Sequence, residues 1–152
     1  MEELPPSLLG LTTYLMSKAG KAARGRLAVR LAADGLRMWH MAVLAALADF
    51  GPHAQRDLSA RLGIDPSDVV KVLDELSAPG FVHRARDPAD RRRVTVTITA
   101  GGQRELTRLT REARAIQDEI LAPLDAAERA QLHDLLTRIL VQQPLSGPGA
   151  GG

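Results

Sequence analysis

Between Arg84 and Arg93 the chain reads RARDPADRRR, five arginines and two aspartates in ten residues, and it runs on into VTVTIT, where Val94, Val96 and Ile98 alternate with threonines. Guanidinium groups are planar, weakly hydrated and permanently charged. They fork onto phosphate oxygens or lie in a narrow minor groove, where a lysine acts only as a point charge. The alternation of the second run is that of a strand, and Phe81 to Arg86 forms a matching run before it, so residues 87–93 are the tip of a hairpin. An isolated arginine run is ordinarily a solvated turn. Mounted on a hairpin, it points to a polyanionic partner.

A second set of polar side chains lies just upstream. Val69, Val72, Leu73 and Leu76 follow the i, i+3, i+4, i+7 spacing of an amphipathic helix, which turns Ser67, Asp68, Lys71 and Glu75 outward. Asp65 is placed to cap this helix and Pro66 takes its first position. A shorter helix from Gln55 to Leu62 precedes it across Gly63-Ile64-Asp65. Helix, glycine turn, helix and basic hairpin together describe a winged helix-turn-helix. Its second helix fits a major groove about 12 Å wide, and its first aims N-terminal amides at phosphate. The DNA contacts expected on this reading are Gln55, Arg56, Ser67, Asp68, Lys71, Arg84, Arg86, Asp90, Arg91, Arg92 and Arg93. For Ser67 and Asp68 the alternative is first-turn capping alone.

The elements that must hold these groups follow from punctuation and period. Pro5-Pro6 opens one long helix to about Ala33, with Leu8, Leu11, Leu15, Ala19 and Ala22 as its stripe and Asp34-Gly35 as its end. Met38 to Asp49 is a more buried helix before Phe50-Gly51-Pro52. After the hairpin comes a long helix bearing Leu106, Leu109, Ala113, Ile116 and Ile120, stopped by Pro123. A last helix is opened by Asp125 with Glu128 three residues on, a capping-box variant. The expected fold is mainly α with a small β-hairpin wing. Residues 36–100 form the winged helix-turn-helix domain, 5–33 and 101–142 a helical dimerisation region, and 143–152 a Pro- and Gly-rich disordered tail.

Composition narrows the classes. At 152 residues one domain is expected, and the formal net charge is only +2, so a basic surface has to come from arrangement. The balance from Arg84 to Arg93 is +3, five arginines less two aspartates, whereas Glu112 to Asp134 holds six acids against two arginines. Without cysteine there is no disulfide framework, thiolate metal site or thiol redox sensor, and a cytoplasmic location is expected. No apolar run approaches the roughly 20 residues of a membrane span, so no membrane partner is expected. His40, His53, His83 and His133 lack metal-ligand spacing, and no metal or cofactor is expected. Gly101-Gly102 is no phosphate loop, since no Lys-Ser or Lys-Thr follows. No nucleophile with its base, catalytic carboxylate pair or cofactor loop appears, which argues against an enzyme.

Over residues 8 to 142 the chain resembles the MarR regulators of multiple antibiotic resistance. The most specific element is Asp87-Pro88-Ala89-Asp90-Arg91-Arg92-Arg93-Val94-Thr95-Val96-Thr97-Ile98-Thr99-Ala100-Gly101-Gly102, similar to that family's wing, an Asp-Arg-Arg tip and a strand ending Leu-Thr-x-x-Gly, with Ile98 in place of the leucine. Leu58 to Asp65 and Val69 to Leu76 resemble its helix-turn-helix, and Gly35-Leu36 before a buried helix its second helix. Ala54 stands where the family often has a capping Ser or Thr. Asp68 and Val70 stand where small hydroxyl residues are common. The family's Asp-x-Arg tip falls on Asp90 and Arg92, and the resemblance implies that Arg92 enters the minor groove with Asp90 positioning it by a charge-assisted hydrogen bond. The resemblance implies a sequence-specific transcription regulator, a homodimer through its terminal helices on a palindromic double-stranded operator, and a repressor released by a small-molecule effector. It implies an effector cavity near Met16, Arg37, Trp39 and His40, for which an ordinary core tryptophan and a hydrogen-bonded core histidine are the alternative. The other reading of the whole is an architectural or protein-interaction winged-helix module without a defined operator.

Overall fold

The computed structural model describes residues 3–33 and 38–142. Its elements are α1 (Pro6–Leu9), α2 (Thr12–Ala32), α3 (Met38–Phe50), β1 (His53–Ala54), α4 (Gln55–Leu62), α5 (Pro66–Ser77), β2 (Val82–Arg86), β3 (Val94–Ile98), α6 (Ala100–Ile120) and α7 (Ala126–Val141). The chain is mainly helical with one small antiparallel sheet in the order β1-β3-β2.

Two expectations about the elements are corrected. The single helix expected from Pro5 to about Ala33 is two, because α1 closes at Gly10 and Leu11 is extended (φ −99°, ψ 114°) before α2 begins. Glycine is the weakest helix former after proline, and one turn ahead of it has nothing to propagate from. The stripe is displaced as well: Leu11 and Leu15 are exposed, while Leu27 packs against the core and Leu31 is buried. The second correction is β1, which pairs His53 with Val96 and Ala54 with Thr95 and so makes β3 the central strand. Two residues are too few to carry a pattern of period two. The proposed helix end at Asp34-Gly35 and the tail 143–152 lie outside the described residues.

The chain divides into two compact units, Met1–Ile116 and Gln117–Gly152. In the first, Val43, Leu44 and Leu47 of α3 share one core with Leu58 of α4, Val69, Val72, Leu73 and Leu76 of α5, Val82 and Val96 of the sheet, and Leu109 of α6. Arg30 of α2 donates to Glu112 of α6 at 2.7 Å. The turn between α4 and α5 is made by Gly63 in the left-handed region (φ 65°), with the Ile64 N–H reaching back to the Ser59 carbonyl and Ile64 buried below. In the second unit Asp125 and Glu128 cap each other's backbone amides as the spacing requires. Arg129 there donates to the carbonyls of Leu121 and Leu124 and pairs with Asp118 at 3.0 Å.

The junction of the sheet with α6 explains the Thr-x-x-Gly at the end of the hairpin. Thr99 accepts the Gly102 N–H at its hydroxyl (3.0 Å) and donates that hydroxyl to the Gly80 carbonyl (2.5 Å). Gly102 is buried, and a Cβ there meets the Phe81 carbonyl oxygen at 2.1 Å and Ile98 Cγ1 at 2.7 Å. No side chain fits without moving α6 off the strands. Gly102→Ala is expected to destabilise the protein by about 1–3 kcal/mol, read as a lower denaturation midpoint, whereas Gly101→Ala, whose Cβ meets nothing nearer than 3.6 Å, should be tolerated.

Candidate nucleic-acid interface

The recognition-helix candidate, α5, starts at a built cap. The Asp65 carboxylate accepts the Ser67 backbone N–H at 2.9 Å and the Ser67 hydroxyl at 2.5 Å. These two bonds, the hydroxyl's first, hold the Asp65 pKa below the ordinary 3.8. The capping acid is therefore Asp65, and Ser67 serves it. Asp68 stands exposed in the first turn, and among the described residues it forms no ion pair. Ser67, Asp68, Val70 and Lys71 all face solvent, opposite the buried face of the helix. At the neighbouring α4, Ala54 offers no side-chain cap to the helix that carries Gln55 and Arg56.

The wing is a hairpin with strict register from Val82↔Ile98 to Arg86↔Val94. Its tip is ordered by its aspartates through the backbone. The Asp87 N–H donates to the Arg93 carbonyl (2.8 Å), and its carboxylate accepts the Ala89 N–H (2.8 Å). Asp90 does the same one turn later, accepting the Arg92 N–H at its carboxylate (3.0 Å) and the Arg93 N–H at its carbonyl (2.9 Å). The expected side-chain bond from Asp90 to Arg92 is thus replaced by a backbone bond. Among the described residues no ion pair joins the two, and Asp90 shapes the loop that carries the guanidinium.

The arginines divide by partner. Arg84 pairs with Asp74 of α5 at 2.7 Å, and Arg93 with Asp57 of α4 at 3.7 Å. Arg86 reaches the Arg91 carbonyl at 3.4 Å, and these two line a concavity with Asp87 and Pro88. Arg91 and Arg92 are exposed and, among the described residues, form no ion pair. An open groove of about 540 Å³ runs between α4, the start of α5 and the wing, bringing together Gln55, Arg56, Pro66, Val70, Asp90, Arg92 and Arg93. Ser67, Asp68, Lys71 and Arg84 do not line it. Asp57 and Asp74 were absent from the expected set, since a carboxylate's partner in another element leaves no mark in local sequence.

The proposed effector residues differ in exposure. His40 is fully buried and bonds Glu75 of α5 through Nε2 at 2.6 Å, whereas Trp39 is 43% exposed. The core reading fits His40 and is corrected for Trp39, which the helix turns about 100° away from it and toward solvent. Met16 lies part-exposed on α2, and Arg37 is outside the described residues. Among the described residues no three His, Cys, Asp or Glu side chains converge to hold a metal, and no helix is long and apolar enough to cross a membrane.

A sequence model of the MarR family matches residues 34–93, a span that takes in α3 and runs through the wing tip. The PcaV transcriptional regulator of Streptomyces coelicolor superposes with a TM-score of 0.67 at 30% identity, over 84% of this chain and 93% of that one. The chain belongs to the MarR family. Its winged helix-turn-helix is the family's fold, and MarR from Escherichia coli matches that fold with a TM-score of 0.76 over 92% of this chain and 99% of that one, at 23% identity. The transcriptional repressor NicR of Pseudomonas putida is 32% identical over 97 residues, 64% of this chain and 61% of that protein. The chain spans 60–66% of the length of the first curated relatives it matches.

The cap makes a pH-dependent prediction. A carboxylate whose pKa is lower folded than unfolded adds stability above its unfolded pKa, and that stability is lost as pH falls through the folded value. Asp65→Ala should lower the melting temperature at neutral pH, and the gap to the parent should begin to narrow as the pH falls below 3.8 and close only below the still lower folded value. Parallel melts from neutral to strongly acid pH measure it, and a gap that persists at the acid end refutes this role for the ionised cap.

Proposed function

We propose that the protein is a sequence-specific repressor of the MarR type, binding a palindromic double-stranded DNA operator as a homodimer and released by a small organic effector. The observation that carries this reading is the shared groove: the N-terminal turns of α4 and α5 and the arginine tip of the wing border one concavity with Gln55, Arg56, Arg92 and Arg93 in its lining. On this reading α5 enters the major groove, where Lys71 reaches a base edge and Asp68 accepts from a cytosine amino group. Arg86, Arg91 and Arg93 meet phosphates, and Arg92 enters the minor groove beside them. Arg84, held by Asp74, sets the angle between wing and α5 more than it contacts DNA.

Dimerisation is assigned to residues 5–33 and 101–142 and DNA binding to 36–100. In the single chain Leu9, Leu11 and Leu15 near the N-terminus, and Leu135, Leu136, Ile139 and Leu140 of α7, are exposed apolar side chains that a partner copy covers. Repression is the activity that NicR is named for, and PcaV has been crystallised with its natural ligand. The effector is assigned to the region of Met16, Arg37, Trp39 and His40, as an aromatic or anionic molecule that lowers operator affinity. No catalytic step enters the reading, and the cytoplasm, where DNA is reached, is its location.

The test is Arg92→Ala against operator DNA across a salt series, with folding checked by circular dichroism. Removing one cation that neutralises the DNA backbone charge, from the minor groove as from a phosphate, flattens the plot of log affinity against log salt by up to about 0.9, so a dimer deprived of one in each subunit changes slope by up to about 1.8. Affinity should fall, and the preference for operator over random DNA of equal length should narrow. Unchanged affinity and slope in a folded mutant refute the wing's role, and a parent protein with equal affinity for both DNAs is an architectural module instead. For the effector, a compound that weakens operator binding tenfold must bind the operator complex tenfold more weakly. Calorimetry with and without operator checks this, and equal affinities disqualify the compound.

A further inference from the structure

Asp57 is a carboxylate in the first turn of α4, at the edge of a surface otherwise read as a phosphate-binding one. Its Oδ2 stands 3.7 Å from Arg93 Nη2, and both side chains are about half exposed, 57% and 47%. The arginine lines the groove with Gln55, Arg56 and Arg92, while on its other side it borders, with Asp57, an open concavity formed by Phe50, His53 and Arg61. Arg93 thus stands where it can turn to either side. Its backbone is pinned, since its N–H donates to the Asp90 carbonyl and its carbonyl accepts the Asp87 N–H. Only the side chain is left to move.

We propose that Asp57 is a positioning residue that holds Arg93 as an internal counter-charge in the free protein, so that a DNA phosphate takes the arginine only by displacing the carboxylate. This rests on the reading of the groove as a DNA interface. The chemistry requires nothing beyond exchange of one anionic partner for another. The pair is long and solvated, weak enough to open on encounter, yet a phosphate also meets the repulsion of the released carboxylate. The cost falls on every approach of a DNA backbone, whatever its sequence, and so it lowers the sequence-independent part of binding. Arg91 and Arg92 carry no such restraint among the described residues.

The experiment is a double-mutant cycle on the full-length protein, Asp57→Asn and Arg93→Ala singly and together, read as affinity for random-sequence duplex DNA over a salt series. Asp57→Asn keeps the shape of the side chain and should raise affinity by up to about fivefold for each subunit, the upper scale of one exposed ion pair. It should also steepen the salt slope by up to about 0.9 for each subunit whose Arg93 then engages a phosphate fully. In the Arg93→Ala background the same change should do nothing, because the arginine it acts through is gone. An equal gain in both backgrounds means Asp57 merely adds negative charge to the surface, and it overturns the proposal while leaving the regulator reading intact. No gain in either background overturns it too. A parent protein that binds no duplex at low salt overturns the regulator reading, and this inference with it.

Discussion

One face of α5 is buried completely, and the orientation of the interface depends on that. Val69, Val72, Leu73 and Leu76 are each at most 1% exposed, and each buried side chain of this kind is worth about 1.5–3 kcal/mol. Rotating the helix by one residue carries one of them into solvent and brings Lys71 or Asp74 toward the core, where an unpaired charge is far more costly. Ser67, Asp68, Val70 and Lys71 are outward for that reason. Val70, 41% exposed, is an apolar side chain on the same outward face.

The wing solves a different problem, that of holding like charges together. Five arginines within ten residues repel one another, and exposed charges more than about 10 Å apart are largely screened, so the local excess matters more than the net charge of +2. Two aspartates in the tip bind backbone amides, which shapes the loop and places negative charge between the cations. Two more, Asp57 and Asp74, reach across from the helices to Arg93 and Arg84. The charged loop is thereby joined to α4 and α5, the two helices it has to work beside.

Much of this was legible in the sequence where the signal is local. The α5 period, the Asp65 cap with Pro66 behind it, the Asp125 and Glu128 box and the bounds of α4 are all written in neighbouring residues, and the structure has them. What depends on distant partners was not. The break at Gly10 lay inside an apolar pattern that continued across it. β1 exists because β3 offers it hydrogen bonds. The candidate site follows the same division: the clustering of arginines reads from the chain, while their acidic partners and the backbone role of Asp90 need three dimensions. Trp39 and His40 look alike as members of an apolar helix and differ because successive residues point about 100° apart, one outward and one into the core.

That divergence has a mechanical consequence. His40 is fully buried and bonded to Glu75, so the first turn of α3 is tied to the last turns of α5 by a polar pair that low dielectric strengthens. Breaking it removes a 2.6 Å bond from a fully buried ring, so α3 and α5 resist moving independently at this point. On the proposed reading, a ligand seated against the exposed face of Trp39 bears on the same turn of α3 that holds His40. It can tilt α5 only to the extent that it binds the tilted arrangement better than the resting one. The buried pair therefore does not create regulation. It makes the start of α3 and α5 share one set of positions, so that a preference expressed at either is felt by both.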